Sequence, residues 1–347
     1  MKTKIPNLTA AAACALIFAS QHVFSQGALT PPGPPAPTMK SLDQVEARII
    51  VNSVNTPGDA TTLYKITQPG SYYLTTNITG VSGMSGIAIE SSQVTLDLNG
   101  FSVDGVAGSL DGVRNTNGSI IAVTVRNGIV RFWGGNGISG SGGYGAIYSD
   151  LIVFDNDNDG MDVFRATVRD CVAEDNGGTG ISASESGVIH CSATGNDTGI
   201  AGAYTSRVEG CTTKFNNVGI DVYGSCLVLN NTIQASVDIG LVLGQEDRVV
   251  GNLVTDGPGG AFGILVENSY GTNNVIQGNT ALNNTGGGIV INGGAAGNFV
   301  SGNTASGNTP NYQIGPGNSY GPIVNVAGIG DISSTPNANF PGANFSY

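Results

Sequence analysis

The chain has 347 residues, of which only 11% are charged, and its formal net charge is −12 at pH 7. A hydrophobic fraction of 40% excludes a disordered chain, and the acidic balance excludes a protein that binds nucleic acid or an anionic membrane through its overall charge. The 54 glycines are far above average globular usage, so chain reversals must be frequent and regularly placed.

Residues 1–25 have the organisation of a secretory signal. Lys2 and Lys4 precede an apolar segment at 10–18, and small residues then lead to a cleavage site near Gln26. The apolar segment is too short for the ~20 residues that a membrane-spanning helix needs, and no later segment is longer. The sequence therefore predicts no membrane span, and a protein that is secreted, periplasmic or held at the cell surface.

The mature chain is predicted to begin with two short non-repetitive segments. Residues 26–40 are rich in proline, which is typical of an extended linker. Residues 41–60 are interpreted as an N-terminal cap, because 41–46 has the pattern of a capping box and predicts a short helix over the first coil. Such a cap would cover the core and the strand edge that an open coil exposes.

A glycine followed by an aliphatic residue recurs through the centre of the chain. Successive glycines are 19 to 26 residues apart, which fits one solenoid coil of three short strands and leaves no room for a crossover helix. The sequence predicts an all-β, single-domain, right-handed parallel β-helix of about ten coils over residues 61–309. The glycines are Gly86, Gly112, Gly137, Gly160, Gly180, Gly199, Gly219, Gly240, Gly263 and Gly288.

Asparagines recur beside this glycine column. Asn176, Asn196 and Asn216 each stand three or four residues before a glycine. Asparagines stacked at a bend satisfy one another's amide groups along the column. A ladder of hydrogen-bonded asparagines is therefore expected at one bend of each coil.

Cysteines form a second column. Cys171, Cys191 and Cys211 recur at intervals of 20, and Asn231 continues the series. An even number of cysteines in an exported protein normally suggests disulfides, but in-register parallel strands orient their Cβ atoms alike and would strain such a bond. Buried free thiols that pack as small apolar groups are expected, with Cys226 in another column.

The entry segments 68–74 and 94–100, together with the glycine and asparagine columns, resemble the right-handed β-helix repeat proteins of the pectin-lyase-like superfamily. The resemblance covers about residues 60 to 310 and implies the fold. It leaves activity open, because the superfamily includes polysaccharide lyases, glycoside hydrolases, adhesins and metal-accessory proteins. Copper delivery, the role of one family in it, is disfavoured by the scarcity of histidine and methionine, since copper prefers such soft ligands.

The catalytic candidates are weak. The paired aspartates, Gly-His-Gly and Arg-x-Lys segments of the polygalacturonase-type relatives are absent. Asp150, Asp170 and His190 are predicted to share one column on three successive coils, with Arg169 beside them, and neighbours in a column lie ~5 Å apart. Such spacing suits a carboxylate pair, but it also suits solvated bend residues, and both interpretations stay open.

An acidic loop suggests calcium as a cofactor. Asp155, Asp157 and Asp159 alternate with asparagines in the spacing that opens a calcium-binding loop, and Asp175 is predicted to stack above Asp155. The twelfth position is Ala166 where an EF-hand has glutamate, so this is not an EF-hand. The alternative is a polar bend with the usual preference for Asn and Asp.

Residues 310–347 lose the repeat and predict an irregular C-terminal cap or tail. Val242, Leu265 and Val290 are expected to form an outward apolar stripe, covered by this tail or by a partner.

The function predicted from the sequence is an exported solenoid that binds glycan or protein without established catalysis. The alternative is a polysaccharide lyase or glycoside hydrolase with a divergent site, so enzymatic activity is left open. A polysaccharide or a surface protein is the predicted partner.

Overall fold

The computed structural model describes residues 47–115, 118–267, 270–326 and 335–347. The solenoid corresponds to one compact unit, Arg48–Tyr347. The described residues contain strands and bends but no helix, and hence no helix that would cross a membrane. The predicted signal segment, the linker and the helical segment at 41–46 lie outside the described residues.

Short strands follow one another at regular intervals along the solenoid. Most have three to six residues, as expected for strands separated by tight bends. In chain order they are β1 (Ile49–Ile50), β2 (Thr62–Ile66), β3 (Gly70–Tyr73), β4 (Ile78–Thr79), β5 (Ser85–Ile89), β6 (Val94–Asp97), β7 (Ser102–Asp104), β8 (Val113–Arg114), β9 (Val123–Arg131), β10 (Ile138–Gly140), β11 (Ala146–Phe154), β12 (Met161–Phe164), β13 (Ala166–Arg169), β14 (Val172–Glu174), β15 (Thr179–Ser184), β16 (Gly187–Ile189), β17 (Ser192–Thr194), β18 (Thr198–Ala203), β19 (Arg207–Glu209), β20 (Thr212–Lys214), β21 (Val218–Tyr223), β22 (Leu227–Leu229), β23 (Thr232–Gln234), β24 (Ile239–Leu243), β25 (Arg248–Val250), β26 (Leu253–Thr255), β27 (Phe262–Val266), β28 (Val275–Gln277), β29 (Thr280–Leu282), β30 (Gly287–Ile291), β31 (Phe299–Ser301), β32 (Thr304–Ser306), β33 (Tyr312–Ile314), β34 (Ser319–Tyr320), β35 (Ile323–Asn325) and β36 (Asn344–Ser346).

Parallel pairing between successive coils builds three walls. The front wall is a 12-stranded sheet of β2, β5, β8, β10, β12, β15, β18, β21, β24, β27, β30 and β33. The other 24 strands form a second sheet with two walls, because β9 and β11 continue around the corner between them. The middle wall includes β13, β16, β19, β22, β25, β28, β31 and β34, and the rear wall includes β14, β17, β20, β23, β26, β29, β32 and β36.

The front wall corrects the predicted number of coils. It has 12 strands, so the solenoid has about twelve coils where the glycine repeat predicted about ten. The first and last front strands, β2 and β33, have Leu63 and Asn311 where the other coils have glycine. Among the described strands, none pairs with the free side of β33, so no close backbone neighbour there excludes a side chain at Asn311. The glycine repeat therefore does not reveal this coil.

Most coils are triangles with three equivalent corners. At a corner one residue, such as Asp170, Gly210 or Asn230, has positive φ, which Gly, Asn and Asp adopt most readily. The next residue turns its side chain inward, where its oxygen or sulfur accepts a hydrogen bond from the backbone nitrogen of its counterpart on the preceding coil. The resulting corner ladders are Ser186, Ser206, Cys226, Asp247, Asn274, Asn298 and Asn318 between front and middle walls; Cys171, Cys191, Cys211, Asn231, Asn252, Asn279, Asn303 and Asn344 between middle and rear walls; and Asn156, Asn176, Asn196 and Asn216, resumed by Asn284 and Asn308, between rear and front walls.

The inward strand residues fill one continuous core. Val, Ile and Leu side chains dominate it, and Trp133 and Tyr148 are its largest fully buried members. The core is continuous because each coil buries its apolar side chains against the coils on either side, which no isolated coil can do.

The C-terminal tail closes the last coils. The segment 335–347 returns to the solenoid, where β36 pairs with β32 of the rear wall and with β35. Asn344 takes the next place in a corner ladder and accepts hydrogen bonds from the backbone and side-chain nitrogens of Asn303, each at 3.1 Å. The described part of the tail therefore packs on the 24-stranded sheet and not on the apolar stripe of the front wall.

Candidate functional site

A groove runs across the outer face of the front wall. Two adjoining hollows, of about 460 and 180 Å³, share Asp221 and Tyr223 and extend from β15 to the segment after β27. We call their lining the front groove. The groove is built on paired strands, and binding sites on such rigid elements are held more accurately than sites on loops.

Aromatic rings project into the front groove. Tyr223 is exposed, and its ring meets that of Tyr204 edge-to-face at a centroid distance of 6.2 Å. Tyr270 lines the far side and is also exposed. Exposed aromatic rings in a concave surface offer apolar area with a polar tip, which is typical of ligand sites.

The front groove is acidic. Asp221, Asp238 and Glu267 line its larger hollow, and no Lys, Arg or His is among the lining residues. Burial raises the pKa of Asp221, and the negative charge of Glu267 raises it further. The groove therefore carries a negative potential that favours a cationic or uncharged ligand over an anionic one.

Asp247 lies behind the groove in a corner ladder. It is buried, and its carboxylate accepts hydrogen bonds from the backbone nitrogens of Cys226 (2.8 Å) and Gly244 (3.0 Å). Burial nevertheless raises its pKa to about 6, and the charge of Asp221 contributes to the increase. Hydrogen bonds from Cys226 and Gly244 oppose it.

The raised pKa of Asp247 predicts a pH-dependent stability. Its carboxyl loses its proton near 3.8 when unfolded but near 6 when folded, so the free energy of unfolding falls as pH rises between those values and levels off above them. Asp247→Asn should remove this component, which is at most about 3 kcal/mol. Urea unfolding of both proteins from pH 4 to 7 measures it. Exposed Asp238→Asn is the control, and equal slopes for wild type and Asp247→Asn would contradict the assignment.

The predicted catalytic residues lie outside the front groove. Asp150, Asp170 and His190 stack in one column as predicted, each with positive φ at the corner between middle and rear walls. All three are exposed, and Arg169 forms an exposed ion pair with Asp170 at 3.1 Å. Their position explains the residue types, because Asp and His tolerate this backbone conformation better than most residues.

The predicted calcium ligands do not converge. Asp155 and Asp175 stack at the corner between rear and front walls, and Asp157 is exposed beside them. The Oδ1 of Asp159 accepts a hydrogen bond from the backbone nitrogen of Thr179 at 2.7 Å, so this carboxylate joins one coil to the next. Within the described ranges, no group of three or more His, Cys, Asp or Glu side chains is placed to hold a metal ion.

The cysteine prediction is confirmed. Cys171, Cys191, Cys211 and Cys226 are buried and free. The backbone nitrogen of Cys191 donates to Cys211 Sγ at 3.4 Å, and that of Cys211 donates to Asn231 Oδ1 at 2.8 Å. Cys171, Cys191 and Cys211 therefore belong to the same corner ladder as Asn231.

The outward apolar stripe is confirmed in register. Val242, Leu265 and Val290 occupy equivalent positions on three successive front strands. They pack with Ile239 and Phe262 in a small cluster separate from the main core, in which Leu265 is 6% and Val290 2% exposed. Leu265 and Val290 are therefore covered, and Val242 also lines the front groove.

The fold has counterparts among solved structures. The A-module of mannuronan C-5 epimerase AlgE4 from Azotobacter vinelandii superposes with a TM-score of 0.52 and 12% identity, over 80% of this chain and 87% of that one. A tailspike protein variant of the E. coli bacteriophage HK620 gives a TM-score of 0.51 and 13% identity, over 80% and 72%. At these identities the likeness shows the fold alone, and no curated protein matches the sequence.

These likenesses and the wall arrangement define the class of fold, a right-handed parallel β-helix. The family model described as "Periplasmic copper-binding protein (NosD)" matches residues 134–326, more than half of the chain. The protein belongs to this family. A periplasmic family agrees with the predicted export.

The described residues do not fit a copper centre. Copper prefers thiolate, thioether and imidazole ligands, and in the part of the chain that the structure describes no group of three or more His, Cys, Asp or Glu side chains is placed to hold a metal ion. The stacked thiols lie in the core and contact backbone carbonyls, as Cys191 Sγ does at 3.3 Å from Ile189 O. Burial raises the pKa of Cys226 to about 11, which disfavours its thiolate, whereas the hydrogen bond with Cys191 lowers the pKa of Cys171.

Proposed function

We propose that the protein is an exported solenoid that binds a polysaccharide along the front groove. The observation that carries the proposal is a continuous hollow on a rigid wall, lined by exposed tyrosines and carboxylates. Two structural neighbours add support by analogy of fold only. One is named as a mannuronan epimerase and the other as a bacteriophage tailspike protein.

The charge of the groove selects among polysaccharides. Asp221, Asp238 and Glu267 repel uronic acids, and they attract sugars that carry a protonated amine. A glucosamine polymer is therefore the ligand class that this site favours. An acidic polymer such as mannuronan would be disfavoured at the same carboxylates.

Binding is preferred to cleavage because of where the predicted catalytic residues lie. Asp150, Asp170, His190 and Arg169 are at an exposed corner between the middle and rear walls, whereas the groove is on the front wall. A ligand in the front groove would not reach them. The four side chains are accounted for by the corner geometry and by surface ion pairing, which contributes ~0 to 1 kcal/mol.

Calorimetric titration with a glucosamine hexamer tests the proposal. Wild-type protein should bind it, more weakly as salt is added, and Tyr223→Ala or Asp221→Asn should each lower affinity about tenfold, or ~1.4 kcal/mol. Phe164→Ala is the matched control, because Phe164 is in the same outward column three coils away and outside the groove. Failure to bind, or equal binding of a mannuronate hexamer, would refute the assignment.

A further inference from the structure

A second hollow lies near the C-terminal end, on the middle wall. It has a volume of about 600 Å³ and lies between residues of β28, β31 and β34 and the returning tail. We call it the end cleft. Its lining is Gln277, Phe299, Ser301 and 319–322 of the solenoid, and 340–342 of the tail.

Three aromatic rings of the end cleft remain open to solvent. Phe299 is 45% exposed, Tyr320 is 53% exposed and Phe340 is 52% exposed. Leaving large apolar side chains in water is unfavourable, and their concentration around one hollow marks a surface that a ligand covers. The core does not need the ring of Phe299, because the neighbouring Val300 of the same strand already lies in it.

The tail side of the end cleft is fixed by hydrogen bonds. The backbone nitrogen of Gly302 donates to Gly342 O at 3.0 Å, and that of Phe345 donates to Asn303 O at 2.8 Å. Asn344, the tail residue before Phe345, accepts a hydrogen bond from the side chain of Asn303 in the corner ladder. A wall anchored in this way is preformed, so a ligand need not order it on binding.

The end cleft contains no charged group among its lining residues, in contrast to the front groove. Its polar groups are the amide of Gln277 and the hydroxyls of Ser301, Ser319 and Tyr320. Neutral donors and acceptors beside aromatic rings complement a ligand that has hydroxyl groups at its edges and an apolar face. A charged ligand would find no partner for its charge here.

We propose that the end cleft is a second carbohydrate site, one for uncharged hexose units. The rings of Tyr320 and Phe340 cover the C–H face of a sugar, and Gln277 and the serines bind its hydroxyls. This site is on another wall from the front groove and has a different ligand preference. The proposal therefore does not rest on the function of the front groove.

Saturation-transfer NMR and calorimetry with cellohexaose, maltohexaose and mannohexaose test the proposal on the mature protein. At least one hexamer should bind, and Tyr320→Ala and Phe340→Ala should each weaken it tenfold or more. Tyr320→Phe, which keeps the ring, should stay within about threefold of wild type. Tyr223→Ala in the front groove should have no effect on this affinity, and urea unfolding verifies that each variant is folded.

Several outcomes would overturn the end-cleft proposal. They are failure of all three hexamers to bind, affinity that survives both alanine substitutions, and loss of affinity with Tyr223→Ala alone. Displacement of the sugar by a proline-rich peptide of higher affinity would assign the cleft to a peptide instead. Because the front groove is tested with a glucosamine hexamer, failure at either site is distinguishable from failure at the other.

Discussion

Gly199→Ala is expected to destabilise the solenoid by about 3 kcal/mol or more. An alanine Cβ at this position would lie 2.5 Å from the carbonyl oxygen of Gly219 and 2.7 Å from Nδ2 of Asn216. The first contact is the backbone of the next coil and the second is a buried ladder side chain, so neither can move without breaking hydrogen bonds. The glycine column exists because coils approach this closely at the start of each front strand.

Gly187→Ala provides the matched control for this prediction. Gly187 begins β16 on a neighbouring coil, and an added Cβ would have as its nearest neighbour Ile189 Cδ1 at 3.9 Å. This variant should be neutral or slightly more stable, because alanine restricts the unfolded chain more than glycine does. Urea unfolding of both variants measures the difference. Similar midpoints would show that close approach does not explain the column.

Asn216→Ala should cost about 4 kcal/mol. The Asn216 side chain is fully buried, and its Oδ1 accepts hydrogen bonds from the backbone and side-chain nitrogens of Asn196 at 2.8 and 3.1 Å. Its Nδ2 donates to Ala193 O at 3.0 Å. Alanine would leave the buried backbone nitrogen of Asn196 without its acceptor and would remove one of the three acceptors of Asn196 Nδ2.

Asn217→Ala is the control for the ladder. Asn217 is the adjacent residue but is exposed, and its side chain donates to Asp197 at the surface. Its loss should cost less than about 0.5 kcal/mol. Hydrogen exchange should show the effect of Asn216→Ala concentrated in coils near it, since solenoid coils couple mainly to neighbours. Equal destabilisation by the two substitutions would refute the role of the ladder.

The columns that could be predicted from the sequence keep one residue type at a fixed interval. Asn176, Asn196 and Asn216 do so, and their predicted amide contacts are present at 3.0 and 3.1 Å. The ladder between front and middle walls was missed, because serine, cysteine, aspartate and asparagine succeed one another in it. Small polar side chains of different kinds meet the same requirement there, and only the geometry shows that the positions are equivalent.

The front groove could be predicted only in part. Asp221 and Tyr223 were recognisable as outward residues, because side chains alternate along a strand. Glu267 and Tyr270 were not, since they lie in a longer coil, where ladder neighbours Asn252 and Asn279 are 27 residues apart in place of 20. The extra residues leave the repeat, and nothing in their spacing indicates which wall they fold against.

The ladders also give the rod a polarity. In each contact the amide nitrogen of one asparagine donates towards the C-terminal end, as from Asn252 to Asn279 at 3.0 Å and from Asn279 to Asn303 at 3.1 Å. Aligned amide dipoles add, as peptide dipoles do in a helix, so the two ends of the column are electrically different. The last coil would present unpaired donors, and the tail supplies the acceptor Asn344. If further coils were grafted onto the C-terminal end of the solenoid, the first added coil would therefore need a hydrogen-bond acceptor at every corner. Coils added at the N-terminal end would instead need to supply donors.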